Sequence, residues 1–225
     1  MTSAFPFCTP PGFEANEIPR QMGVVATVIE QATRILPGSR RHTCIQAGGN
    51  IGVFPMALAR VFSQVRTFEP DPENWRYLLM NLNAAPDDMR PRIAALEGAL
   101  GERFGSCDMA GGPWVANRSS IKPQVDPEEW KHGPVGMIQL DYFQYQACDL
   151  ICLDLMGYEL PALKGAHATI CQHRPVIVTA MAGSLQQRYG YEPRHIAEYL
   201  ADLSYSGTRM APHTHGIFWP VELQK

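Results

Sequence analysis

Thr43-Cys44-Ile45-Gln46-Ala47-Gly48-Gly49-Asn50-Ile51-Gly52 is the stretch whose reading decides the fold. Residues 43–47 form a short apolar run of strand type, and glycines then open an apolar helical segment over 51–62. A second strand is expected over 64–68, with Glu69 directly after it. Glycines at such a turn let the backbone bend sharply and approach a ligand. The helix that follows offers unpaired N–H groups at its start. A carboxylate about twenty residues after the first glycine can accept hydrogen bonds from both hydroxyls of a ribose. The stretch over 45–69 therefore points to a cofactor that contains adenosine.

Outward from it the pattern alternates. An irregular arm rich in Pro, Phe and Gly leads to a helix over 19–36, which Pro37-Gly38 stops. After Glu69 come a helix over 71–83, a strand over 92–96, and a Gly-rich, weakly periodic region over 101–134. A strand over 149–153, a helix over 161–172, a strand over 175–179 and a helix over 193–203 follow. Strands 206–210 and 216–219 would close the chain as a hairpin. This order predicts an α/β fold, with a mostly parallel sheet, helices on both faces and an antiparallel edge strand. The expected organisation is an N-terminal arm and helix over 1–40 and one catalytic domain over 41–225.

Composition narrows the functional classes. The chain has 225 residues, 45% apolar and 18% charged, with a net charge of −3. That is enough for one α/β domain with a full core. No clustered Lys/Arg excess signals nucleic acid, and Arg40-Arg41-His42 reads as a solvated loop. The six cysteines show neither CxxC spacing nor zinc-finger spacing with His. No run approaches the ~20 apolar residues of a membrane span. The expectation is a cytoplasmic protein; no feature of the sequence sets an oligomeric state.

Spacing also selects among cofactors. A dinucleotide turn would need glycines at its first, third and sixth positions, where Asn50 and Val53 stand at the third and sixth. A nicotinamide oxidoreductase is therefore disfavoured, and S-adenosylmethionine, which carries no phosphate, is expected.

Gln46-Ala47-Gly48-Gly49-Asn50-Ile51-Gly52, then Phe68-Glu69-Pro70-Asp71-Pro72-Glu73-Asn74 with Leu78 and Asn81-Leu82, resembles the FkbM-type methyltransferases. Asn117-Arg118-Ser119-Ser120, Leu140-Asp141, and Leu153-Asp154-Leu155-Met156-Gly157-Tyr158-Glu159 followed by Leu163-Lys164-Gly165-Ala166 extend the likeness over 43–201. The resemblance implies a Rossmann-like class I methyltransferase fold with a seven-stranded sheet. It also implies O-methylation of a sugar, glycan or small-molecule hydroxyl. By the same resemblance Gly48, Gly49, Asn50 and Gly52 line the methionine part of the cofactor, and Gln46, which can still accept a hydrogen bond, is expected to contact the cofactor. Glu69 and Pro70 meet the ribose, and Gly98 and Ala99 flank the adenine.

Three acids of that family pattern are replaced here, by Gln46, Met156 and Ala180. Asp154, Glu159 and Asp141 remain as oxygen ligands, so a divalent metal is possible but not favoured. Asp154 is the first candidate for a general base and also a cofactor contact, with His213 and His215, expected in the loop between the last two strands, as further bases. Glu159 is expected to cap the following helix. Tyr142, Phe143 and Tyr145 could form an aromatic acceptor wall. Trp114 and Trp130, in the long Gly-rich region, are expected to belong to an acceptor pocket or lid. Two other functions stay open: a protein or nucleic-acid N-methyltransferase, and a cofactor-binding protein with weak or no catalysis. The first is disfavoured because Asp154-Leu155-Met156-Gly157 is not the Asn/Asp-Pro-Pro-Tyr/Phe run that N-methylating enzymes often carry.

Overall fold

A computed structural model describes residues 5–14, 16–110, 120–121, 130–210 and 213–223. Seven strands form the main sheet: β1 (Thr43–Ala47), β2 (Gln64–Glu69), β3 (Ile93–Glu97), β8 (Leu150–Leu153), β9 (Val176–Ala180), β10 (Tyr205–Met210) and β11 (His215–Pro220). Their order across the sheet is β10-β11-β9-β8-β1-β2-β3. All neighbours from β9 to β3 pair in parallel, and β11 runs antiparallel to both β9 and β10. The reversed strand thus comes from the terminal hairpin and lies between β9 and the edge strand β10.

Both sheet faces are covered, which is why the central strands read as continuous apolar runs rather than alternating ones. Cys44, Val65, Leu150, Cys152, Val176 and Val178 face α1 (Glu17–Ile35), α2 (Val53–Leu58) and α3 (Pro72–Asn83) in one core. Ile45, Ala47, Phe68, Ile151, Leu153 and Ile177 face α4 (Glu159–Lys164), α5 (His167–His173) and α7 (Pro193–Asp202) in the other. Asp71 caps α3, its Oδ1 accepting the N–H of Glu73 at 2.9 Å and of Asn74 at 3.0 Å, with Pro72 at the first helical position. No helix among the described residues is long and apolar enough to cross a membrane.

Three expectations need correction. The Gly-rich region contains a second sheet, of β4 (Ala99–Leu100), β5 (Gly105–Ala110), β6 (Ser120–Ile121) and β7 (Trp130–Ile138), in the order β4-β7-β5-β6. The helix expected over 51–62 is confined to Val53–Leu58. The helix expected over 161–172 is broken into α4 and α5 at Gly165, where a side chain would collide with the carbonyl of Gly101. That break is a long-range contact, invisible to local periodicity.

Candidate functional site

The carboxyl ends of β1, β2 and β8 open on a crevice whose empty space, open solvent included, is about 710 Å³. Such a crevice, where strand order turns from β1 to β2 on one side and to β8 on the other, is the general ligand position in open α/β sheets. Its walls include Gly48, Asn50, Glu69, Pro70, Gly98, Ala99 and Asp154, all expected from sequence. Gln21, Phe54, Asn74, Leu100, Met109, Leu155 and Met156 join them.

The glycine turn is pinned to β2. The N–H groups of Gly48 and Gly49 both donate to the Phe68 carbonyl, at 3.0 and 2.9 Å. Gly48 has φ +83°, and a Cβ there would collide with the carbonyl of Asp154. Only glycine lets the β1 turn meet the end of β8 so closely. Gly49 and Gly52 do not line the crevice. Gly49 backs onto Thr67, Leu78 and Glu69, while Gly52, at φ +103°, faces Leu78. Gln46 is fully buried under the turn: its Nε2 donates to the Gly48 carbonyl at 2.9 Å, and its Oε1 accepts from the Thr67 hydroxyl. It braces the turn from below and does not reach the crevice wall.

Glu69 is buried at the centre of the opposite wall. Its Oε2 accepts the Asn50 N–H at 2.6 Å and its Oε1 the Asp71 N–H at 2.9 Å, and the Asn74 side chain also bonds to it. Burial pushes this carboxyl up to about 7, against the N–H groups that favour its charge. A carboxylate has about four acceptor sites; three are taken here, so one is left for a ligand. Asn74, one helical turn beyond Glu69, was not singled out as a site residue, although its place just after the Asp71-Pro72 cap was a usable signal. Gly98 (φ +147°) donates its N–H to the Glu69 carbonyl at 3.1 Å and places Ala99 beside the crevice.

The other wall holds the candidate bases. Asp154 follows β8, its N–H bonded to the Ala47 carbonyl at 3.1 Å, and its side chain is 37% exposed. His215 is not in a loop, as expected, but begins β11, opposite Ala180 of β9. Because β11 runs against the parallel strands, it starts where they end, and so delivers His215 to the crevice side. The His215 Nε2 lies 3.8 Å from Asp154 Oδ2, and neither buried ring nitrogen has a hydrogen-bond partner among the described residues. Burial holds the imidazole below its ordinary pKa, and Asp154 pulls in the other direction. His213 stands apart from the crevice, with Nε2 3.2 Å from the Thr27 hydroxyl of α1.

The remaining acids are committed elsewhere. Asp141 caps α5, accepting the N–H groups of Ala168 (2.9 Å) and Thr169 (2.8 Å) and the Thr169 hydroxyl (2.7 Å). Glu159 is fully buried and fixes the loop before α4, receiving the N–H groups of Leu155 and Gly157 at 3.0 and 3.1 Å. Burial pushes its carboxyl up to about 7 as well. Among the described residues, no group of three His, Cys, Asp or Glu side chains is placed to hold a metal. Tyr142, Phe143 and Tyr145 do not line the crevice. Phe143 stacks on Tyr145 and meets Phe68 edge-on, while Tyr142 is exposed against Phe104. Trp114 and the Trp130 side chain lie outside the described residues.

Comparison with known proteins bears on this geometry. The family model of the FkbM methyltransferase domain matches residues 46–206. Among curated proteins, none matches the chain significantly. The structure is similar to the methyltransferase FkbM from Methylobacillus flagellatus KT at 18% identity and a TM-score of 0.56, covering 80% of this chain and 44% of that one. A proposed O-methyltransferase from Klebsiella pneumoniae gives 15% identity and a TM-score of 0.52, over 93% and 84% of the two chains. A precorrin 8W decarboxylase from Methanobacterium thermoautotrophicum gives 16% and 0.51, over 95% and 96%. At these identities the likeness speaks to the fold alone, and a shared fold does not choose the reaction. The family match covers most of the chain and includes the glycine turn, Glu69 and the loop after β8. The chain belongs to the FkbM methyltransferase domain family, among the class I S-adenosylmethionine-dependent methyltransferases.

Proposed function

We propose that this chain methylates a hydroxyl oxygen of a small molecule, with S-adenosylmethionine as donor. One observation carries the reading: a buried carboxylate, Glu69, with one spare acceptor site, faces a glycine turn too tight for any side chain at Gly48. The donor set fits the cofactor. Glu69 would take a ribose hydroxyl, with Asn74 orienting its carboxylate. Gly98, Ala99 and Leu100 would flank the adenine. Gly48, Asn50 and Asp154 would meet the methionine end. Residues 41–225 carry the reaction in this reading, and the preceding helix closes its mouth through Gln21.

When bound, S-adenosylmethionine would supply an activated methyl group and would leave as the neutral thioether, keeping the electron pair of the carbon–sulfur bond. The protein then has to position the hydroxyl and receive its proton. Asp154 is the exposed member of the Asp154–His215 pair and accepts that proton. His215, buried behind it, shares the charge. The neutral state favoured for the imidazole suits this role, since a neutral ring can still take up a proton.

Calorimetric titration with S-adenosylmethionine tests the cofactor, and a labelled-methyl transfer screen over phenols, sugars, peptides and nucleic acids tests the acceptor. Transfer only to peptide or nucleic acid would overturn the small-molecule reading. Because Met156 and Ala180 stand where acids are expected, binding without transfer is the second reading. A labelled product excludes it.

A further inference from the structure

Two non-glycine residues of the crevice wall have left-handed backbones, Asn50 (φ 49°) and Met156 (φ 53°). Asn is at ease in that region, and a long unbranched side chain visits it far less often. Such a conformation costs ~1–3 kcal/mol and persists only where its surroundings impose it. Here they do. Glu159 Oε1 receives the N–H groups on both sides of Met156, from Leu155 and Gly157. Gln186 Nε2 donates to Glu159 Oε2 at 2.7 Å, and the Tyr191 hydroxyl donates to the Gly157 carbonyl at 2.5 Å. Gly157 itself, at φ +106°, packs so tightly on the Leu185 carbonyl that no Cβ would fit. A buried network thus holds Met156 on the wall, two residues from Asp154.

The wall around it is apolar. Leu155 adjoins Met156, and Met109 reaches the crevice from β5 while only 3% exposed. The polar side chains of the described wall are Gln21, Asn50, Glu69, Asn74 and Asp154. With Asn50, Glu69 and Asn74 given to the cofactor and Gln21 bonded to Glu17, Asp154 is the polar side chain shared by the methionine end and the acceptor. A polyol brought into this space would bury several hydroxyls, each costing about 1–3 kcal/mol if left unpaired.

We propose that Met156 is the specificity-determining residue of the acceptor site, and that the acceptor is a flat, apolar molecule whose reacting hydroxyl is carried on an aromatic ring. The inference rests on the methyltransferase reading above. A thioether gains roughly 0.3–1.5 kcal/mol against an aromatic ring, and an unbranched side chain adapts to its outline. A phenolic hydroxyl, with a pKa of about 10, gives up its proton to a weak base far more readily than a sugar hydroxyl does. This matches an Asp–His pair as the base. In the step, the phenol oxygen would bond to the methyl carbon as the carbon–sulfur bond breaks, its electron pair staying on sulfur, and the phenolic proton would pass to Asp154.

The test uses the whole chain saturated with S-adenosylhomocysteine, titrated separately with 2-naphthol and with methyl β-glucoside and followed by ligand-observed NMR. Naphthol is expected to bind at least about tenfold more tightly than the glucoside, a difference of about 1.4 kcal/mol. Met156→Glu lowers naphthol affinity about tenfold or more, and Met156→Leu holds it within about threefold. In both variants the S-adenosylhomocysteine affinity changes little, which shows that the cofactor wall is intact. Equal binding of the two probes, binding of neither, or an unaltered naphthol affinity in Met156→Glu overturns the acceptor assignment. Failure of S-adenosylhomocysteine to bind the unmodified chain overturns the methyltransferase reading itself.

Discussion

The wall formed by β1, β2 and β3 and the wall formed by β8, β9 and β11 touch where Gly48 meets the Asp154 carbonyl, and they are assembled by different means. In the first, the polar groups bond to neighbours close in the chain: Glu69 to the N–H of Asp71, Asp71 to the N–H groups of Glu73 and Asn74. A further link runs from Asn50 to Glu69, across one strand–helix–strand unit. In the second, Asp154 meets His215 from a strand that begins 61 residues later, and Glu159 is held by Gln186. Local assembly gives a wall whose parts follow one another in sequence. The distant kind gives a wall that exists only once the sheet has closed, and it carries two of the three residues that differ from the family pattern, Met156 and Ala180.

Substitutions can separate the two. The largest effect is expected from His215→Gln, which should lower kcat by about 10²-fold or more, as removal of a member of an acid–base pair does. Cofactor affinity should change little, and the acidic limb of the rate–pH profile should move. An unshifted profile would leave His215 with a packing role only.

Glu69→Ala should weaken S-adenosylmethionine by about tenfold to a hundredfold, since a ribose hydrogen bond to a charged group is lost at ~1.5–3 kcal/mol. The same residue sets a pH dependence. Its pKa in the unliganded protein is raised to about 7, and hydroxyl donors favour the ionised form. Binding should therefore release a proton, with affinity falling by up to about tenfold per unit as pH drops below 7. Because that pKa lies above its unfolded value, the Glu69 contribution to stability is complete below about pH 4.5 and is lost as pH rises through about 7. Saturating cofactor opposes that loss, so its rise in Tm should be larger at pH 8 than at pH 6.

Gly48→Ala strikes the contact between the walls. Strained φ and the collision with Asp154 together predict a loss of ~2–3 kcal/mol, read as a lower Tm, and weaker cofactor binding. The smallest effect is expected from Gln46→Asp, which brings back the acid of the family turn. An aspartate cannot donate to the Gly48 carbonyl as Gln46 does, so a loss of ~1–2 kcal/mol is expected in denaturant unfolding.

The same contrast explains what the sequence made legible. The bounds of β1 were readable to the residue, and those of β2, β8 and β9 nearly so, because strands buried on both faces must be apolar throughout. Glu69 and Gly48 were readable because spacing along one unit fixes their meeting. The small sheet β4-β7-β5-β6 was not, since Gly and Pro interrupt its strands and its pairing skips in register near Met109. Met109 therefore could not be foreseen on the wall. His215 was named for its chemistry but given the wrong element, because the start of a reversed strand looks like the end of a loop until its partner is known.

The central claim is that residues 45–69 hold an adenosine cofactor without a pyrophosphate. It is tested most directly by titrating S-adenosylmethionine and NAD separately into the unmodified chain by calorimetry. The account predicts saturable binding of S-adenosylmethionine and none of NAD. Binding of NAD, or silence with S-adenosylmethionine at millimolar concentration, would contradict it.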